Sequence, residues 1–147
     1  MKTLHLAVAC AAWDGRRAVA AVMQWRNGGE PQLVVRRLDQ EDTAPPGYRA
    51  LALGLYEARR MGAKIVEVAI DDPEVTAQLD GTDDPPAGVT GPYLEARGLL
   101  NAFRRVDFRP MASPLLDRAT AAATAAVRPQ PRYADLPLWV ASRTQAA

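Results

Sequence analysis

The chain of 147 residues carries one cysteine, Cys10, one histidine, His5, and two lysines, and its 18 Lys+Arg against 17 Asp+Glu leave a formal net charge of +1. Each scarcity removes a class of function. A single Cys cannot close an internal disulfide, and one Cys with one His cannot build a Cys/His zinc site or a repeated ligand motif. A Ser/His/Asp or Cys/His nucleophile system would have to gather around His5, with Ser113, Ser142 or Cys10 attacking; His5 reads instead as a strand residue in ordinary packing or solvent contact. The near-balanced charge gives no basic excess to draw the whole molecule onto nucleic acid or an anionic membrane, so such binding must come from a local patch. No apolar run approaches the roughly 20 residues that span a bilayer, and the first six residues lack a signal-peptide pattern. The expectation is a cytoplasmic protein with no membrane partner. The phosphate-cradling GxGxxG and P-loop motifs and the GxSxG elbow are missing too. Arginine outnumbers lysine and alanine is abundant, as GC-rich coding produces, so an arginine is informative by its position alone.

What is present suits one domain: the length is ordinary for a single core, and 48% of the residues are hydrophobic. Two apolar runs, 4–12 and 17–25, flank Trp13-Asp14-Gly15-Arg16, and Asp-Gly between such runs predicts a tight hairpin. A second turn at Arg26-Asn27-Gly28-Gly29 leads to a third strand, 32–38 (QLVVRRL). After a Pro-rich acidic loop, Tyr48, Leu51, Ala52, Leu55, Ala58 and Met61 recur at helical spacing over 47–61, and Gly62 suits the helix end. The β-branched run 64–70 (KIVEVAI) predicts a strand ending at Asp71-Asp72, and Pro73 opens a short helix through Gln78 and Leu79.

A polar loop, 81–91, precedes a predicted helix over 92–105 with Leu94, Leu99, Leu100 and Phe103 on its buried side. A short strand over 106–110 and an Ala-rich helix over 115–127 follow. The order β-β-β-α-β-α-α-β-α predicts an α/β protein with a mixed five-stranded sheet, three antiparallel strands then two parallel ones, flanked by helices. Residues 128–147 form a Pro-containing tail, extended or docked through Leu136, Leu138, Trp139 and Val140.

This order, with these lengths, resembles the ribonuclease H fold. The run Pro46-Gly47-Tyr48-Arg49-Ala50-Leu51, then Gly54-Leu55-Tyr56-Glu57-Ala58 and Gly62, then the strand to Asp71-Asp72 and 75–81 (VTAQLDG), is similar to small bacterial and archaeal type 1 ribonucleases H. Ala96-Arg97-Gly98-Leu99-Leu100 with Phe103 and Val106 matches the passage into that family's last strand. The resemblance implies a ribonuclease H-like domain over 1–127.

That family holds two Mg²⁺ ions about 3.5 to 4 Å apart with four carboxylates: an Asp on the first strand, a Glu opening the first helix, an Asp ending the fourth strand and an Asp at the start of the last helix. By resemblance, Asp71 fills the fourth-strand position, as the one retained catalytic and metal-binding carboxylate, with Asp72 where the family has Ser. The first-strand position falls among Ala7, Ala9 and Ala11. The helix position falls on Gly47, and the last on Thr120, with Asp117 one turn earlier. Asp14 is placed for a turn, and Asp71 itself can serve as a strand-end or helix-capping residue.

Arg104, Arg105 and Arg109 around the last strand, with Arg16 and Arg17 at the first hairpin, are the candidate nucleic-acid contacts. The leading expectation is a catalytically inactive ribonuclease H-like domain that acts as a nucleic-acid-binding or scaffold module, without a cofactor. One alternative is an active endoribonuclease, dependent on Mg²⁺ or Mn²⁺ and cleaving RNA in RNA/DNA hybrids, with a site rebuilt from Asp71, Asp72, Asp117 and Asp14. Another is a structural homodimer or larger homo-oligomer.

Overall fold

The structure, a computed structural model, describes residues 2–109 and 113–129. The tail residues Leu136, Leu138, Trp139 and Val140, as well as Ser142 and the Pro110 end of the expected last strand, lie outside the described residues.

Strand β1 (Thr3–Trp13) returns as β2 (Arg16–Trp25), and β3 (Gln32–Arg37) completes an antiparallel meander. The hairpin between β1 and β2 turns on Asp14 and Gly15, at φ 51° and 74°, the pair of positive values that a two-residue turn of this hand demands. Helix α1 (Pro46–Arg60) crosses to β4 (Ile65–Ile70), which lies parallel to β1. Helix α2 (Pro73–Leu79), a short 3₁₀ turn (Ala87–Val89) and α3 (Thr90–Leu100) then lead to β5 (Arg105–Arg109), parallel to β4, and α4 (Pro114–Val127) closes the domain. The sheet order is β3-β2-β1-β4-β5, the mixed sheet expected from the sequence.

The sheet is covered on both faces, and alternation along β1 divides its residues between them. Leu4, Leu6 and Val8 join Leu51 and Leu55 of α1 in the larger core. Ala7 and Ala9 join Ala20, Val22, Ala69, Ala119 and Ala123 in a smaller layer built almost wholly of methyl groups, which lets α4 approach closely. On the other face Gly54 plays the same part, because a Cβ there would lie 2.6 Å from Val8 Cγ1 and 2.8 Å from Leu6 Cδ1.

Two expectations for α3 need correction. The helix spans Thr90–Leu100 and stops five residues before Arg105, because the chain turns at Asn101 and the N–H groups of Arg104 and Arg105 both donate to the Lys64 carbonyl, at 2.8 and 3.2 Å. Leu94 is 59% exposed; the buried side is carried by Ala96 and Leu99, with Phe103 following in the turn. The helix is short, and its inward face is set by the small residue that fits against its neighbours.

No helix among the described residues is long and apolar enough to cross a membrane.

Candidate active site

The end of β4 and the starts of α1 and α2 meet at one end of the sheet. The parallel pairing of β1 with β4 runs up to Val8 opposite Ile70, so one step further places Ala9 alongside Asp71. Ala9 is buried in the methyl layer, whereas Asp71 is exposed.

Asp72, and not Asp71, caps α2. Its backbone is extended, its carboxylate Oδ1 accepts from the Val75 N–H at 3.2 Å, and Pro73 fills the first helical position, where a missing N–H is harmless. The Asp72 carbonyl also accepts from the Thr76 hydroxyl at 3.2 Å. The other carboxylate oxygen of Asp72 lies over Gly47, the second residue of α1. A Cβ on Gly47 would collide with Asp72 Oδ2, and would lie 2.9 Å from its Cγ and 3.0 Å from Val75 Cγ2. Below this contact, the Tyr48 hydroxyl donates to Gln78 Oε1 at 2.5 Å, joining the start of α1 to the end of α2 inside the core.

Cys10 stands near both acids. Desolvation first, then the charges of Asp72 and Asp71, push its thiol above the ordinary range, which keeps it protonated and a poor nucleophile at neutral pH. Asp117 lies in the first turn of α4 and is exposed, as is Thr120, while Ala119 between them is fully buried. Asp14 sits in the hairpin turn at positive φ. Among the described residues, no three His, Cys, Asp or Glu side chains gather where they could hold one metal ion.

The five candidate arginines do not form one surface. Arg104 and Arg105 stand at the start of β5, whereas Arg109 ends it and Arg16 and Arg17 lie at the β1–β2 hairpin. Three of them have partners within the chain. Arg17 donates to the carbonyls of Asp39, at 3.0 Å, and Asp42, fastening the loop before α1. Arg105 pairs with Asp107 at 2.8 Å, and Arg109 reaches Glu67 at 3.5 Å.

A polar cluster that sequence reasoning missed lies on the α4 face. Glu67, with a side chain only 14% exposed, meets His5 at 3.2 Å and Arg26 at 2.7 Å as well as Arg109. The His5 side chain, 39% exposed, thus keeps solvent contact beside the Glu67 carboxylate. The signal was available in register, since His5 and Glu67 are paired across β1 and β4. The cluster borders a cleft of about 350 Å³ that also includes Ser113. The Ser113 hydroxyl accepts from the Leu116 N–H at 3.1 Å as the cap of α4.

No protein-family profile and no curated protein matches the sequence. Solved structures do match the fold. Ribonuclease H1 from the halophilic archaeon Halobacterium salinarum NRC-1 superposes with a TM-score of 0.68 at 21% identity, over 85% of this chain and 96% of that one. The N-terminal RNase H domain of rv2228c from Mycobacterium tuberculosis gives 0.65 at 21% identity, over 85% and 95%. LC11-RNase H1 in complex with an RNA/DNA hybrid gives 0.68 at 13% identity, over 84% and 97%. The chain has the ribonuclease H-like fold.

Proposed function

We propose that this ribonuclease H-like chain is catalytically inactive and works as a binding or scaffold module. The observation that carries the reading is the contact of Asp72 with Gly47: the space that a Glu side chain would need is taken by a carboxylate committed to capping α2.

Two Mg²⁺ ions beside a polyanion require several oxygen ligands in strict octahedra. Of the four positions given by the resemblance, only Asp71 has a carboxylate. Ala7, Ala9 and Ala11 offer only methyl groups in or against an apolar layer, Gly47 has no room for a side chain, and Thr120 offers at most a hydroxyl. These residues do not fit a metal pair. A rebuilt site from Asp71, Asp72, Asp117 and Asp14 is disfavoured because Asp72 is held by the α2 cap and Asp14 by its hairpin. The test is incubation of labelled RNA/DNA hybrid with the protein and Mg²⁺ or Mn²⁺, with Asp71→Asn as the control.

Nucleic acid is one partner class for such a module. It is favoured by the likeness to a structure containing an RNA/DNA hybrid, and weakened by the internal partners of Arg17, Arg105 and Arg109. Titrating hybrid, duplex DNA and single strands at two salt concentrations separates the classes, since phosphate contacts lose affinity steeply with salt. Hybrid binding with such a slope supports the nucleic-acid version; no binding at low salt leaves the scaffold version.

A further inference from the structure

We propose that the cleft beside Glu67 is a binding site for a small organic anion, one with a carboxylate or phosphate head on an apolar body. The proposal holds whether or not the chain is catalytically inactive.

The cleft follows from where α4 begins. That helix packs on β1, β2 and β3, and its first residues, Pro114 and Leu115, face the small residues Ala7 and Ala69, which are paired between β1 and β4. Two residues earlier along the strands, and so on the same face, Gln24, His5 and Glu67 lie side by side across β2, β1 and β4. The space of about 350 Å³ bounded by these residues is at the small end of the roughly 300 to 1,000 Å³ typical of small-molecule sites. Ala7, Ala69, Pro114 and Leu115 give it an apolar side, and the Glu67 cluster with Ser113 gives it a polar one.

The sign of the ligand follows from the bonding of Glu67. Its Oε1 meets Arg26 Nη2 at 2.7 Å and Arg109 Nη2 at 3.5 Å, and its Oε2 meets His5 Nε2 at 3.2 Å. Both oxygens are engaged, so Glu67 is a poor acceptor for a cationic ligand. Two guanidiniums share this one carboxylate, which leaves one positive charge in excess even when His5 is counted as neutral. The next acid of the row, Asp107 on β5, is matched by Arg105 at 2.8 Å. The excess sits on Arg109. Its contact with Glu67 is long for a charge-assisted bond, its side chain is 61% exposed, and a guanidinium carries five N–H donors in a fork that fits carboxylate and phosphate oxygens. Glu67 thus positions Arg109 at the cleft without consuming it.

Ser113 adds a second donor. Its oxygen accepts from the Leu116 N–H, and its hydroxyl hydrogen remains to donate. Arg109 ends β5 and Ser113 caps α4, and both line the cleft. A head group that accepts from both would place its apolar body against the methyl groups of Ala7 and Ala69, where displacing water is favourable.

The experiment is an amide chemical-shift titration of the full chain with phenyl phosphate and with benzoate, which carry the two heads on one kind of body. Inorganic phosphate supplies a head alone and benzyl alcohol the body alone. At least one of the first two should bind saturably at concentrations up to about 10 mM, shifting Ala7, Ala69, Ser113 and Leu115 while Val34 and Ala58 stay in place, and the tighter of the two identifies the head. Each half alone should bind at least tenfold more weakly. Arg109→Ala, which leaves Glu67 its Arg26 and His5 partners, should weaken the tighter probe at least tenfold. Arg59→Ala, at an exposed position of α1 on the other side of the sheet, should change it less than twofold. No saturable binding of either anion would overturn the proposal. So would binding that one half alone matches, or that Arg59→Ala weakens as much as Arg109→Ala, since either would make the cleft an unselective patch.

Discussion

The Asp72 carboxylate fills the volume in which a side chain at Gly47 would begin, 25 residues away in sequence, while its other oxygen caps α2. The two positions therefore form a matched pair. Alanine in place of a helical glycine ordinarily gains up to about 1 kcal/mol. Here Gly47→Ala must displace Asp72 from its cap, worth about 0.5 to 2 kcal/mol, and press on Val75. We expect a net loss of about 1 kcal/mol or more in urea unfolding. In an Asp72→Ser background, where the shorter side chain still caps, the same Gly47→Ala change should be neutral or stabilising. Additive effects of the two substitutions would break the pairing.

The bond from Tyr48 to Gln78 ties the same two helices from inside the core, with Gln78 only 8% exposed. Tyr48→Phe leaves the Gln78 carbonyl oxygen without its donor, at a cost of about 1 to 3 kcal/mol. The urea midpoint should fall with an unchanged slope. An unchanged midpoint would mean that water takes the place of the hydroxyl.

Acid should loosen the loop before α1. The Ala44 N–H first, then the Arg49 guanidinium, hold the Asp42 carboxyl below the usual carboxylate range. The folded state thus takes up this proton less readily than the unfolded chain. Its contribution is present above an unfolded value of about 4 and is lost as pH falls through the lower folded value. Asp42→Asn should flatten the fall in stability below pH ~4. Some slope should remain from Asp80, which the Thr82 hydroxyl and N–H hold down in the same sense. A pH profile identical to that of the parent chain would exclude the role given to Asp42.

The strands and the first helix were legible because their patterns are local. The apolar runs of β1 and β2, Asp14-Gly15 in the turn and the spacing from Tyr48 to Ala58 each state their own structure. The end of α3 was not, since Phe103 continues the helical spacing and the bonds that stop the helix go to Lys64, which precedes the neighbouring strand β4 and lies 40 residues before Arg104 in sequence. The missing carboxylates at Gly47 and among Ala7, Ala9 and Ala11 could be read by resemblance, but the occupation of the Gly47 space by Asp72 could not, because it depends on how the starts of α1 and α2 fit together. Arg17 and Arg109 looked like surface cations for the same reason: Asp39, Asp42 and Glu67 become their partners only once the sheet has formed.

Cleavage of labelled RNA/DNA hybrid by purified protein in Mg²⁺ or Mn²⁺ tests the central claim most directly. The account predicts an intact hybrid with the parent chain and with Asp71→Asn alike. Cleavage by the parent chain that disappears in Asp71→Asn would contradict it.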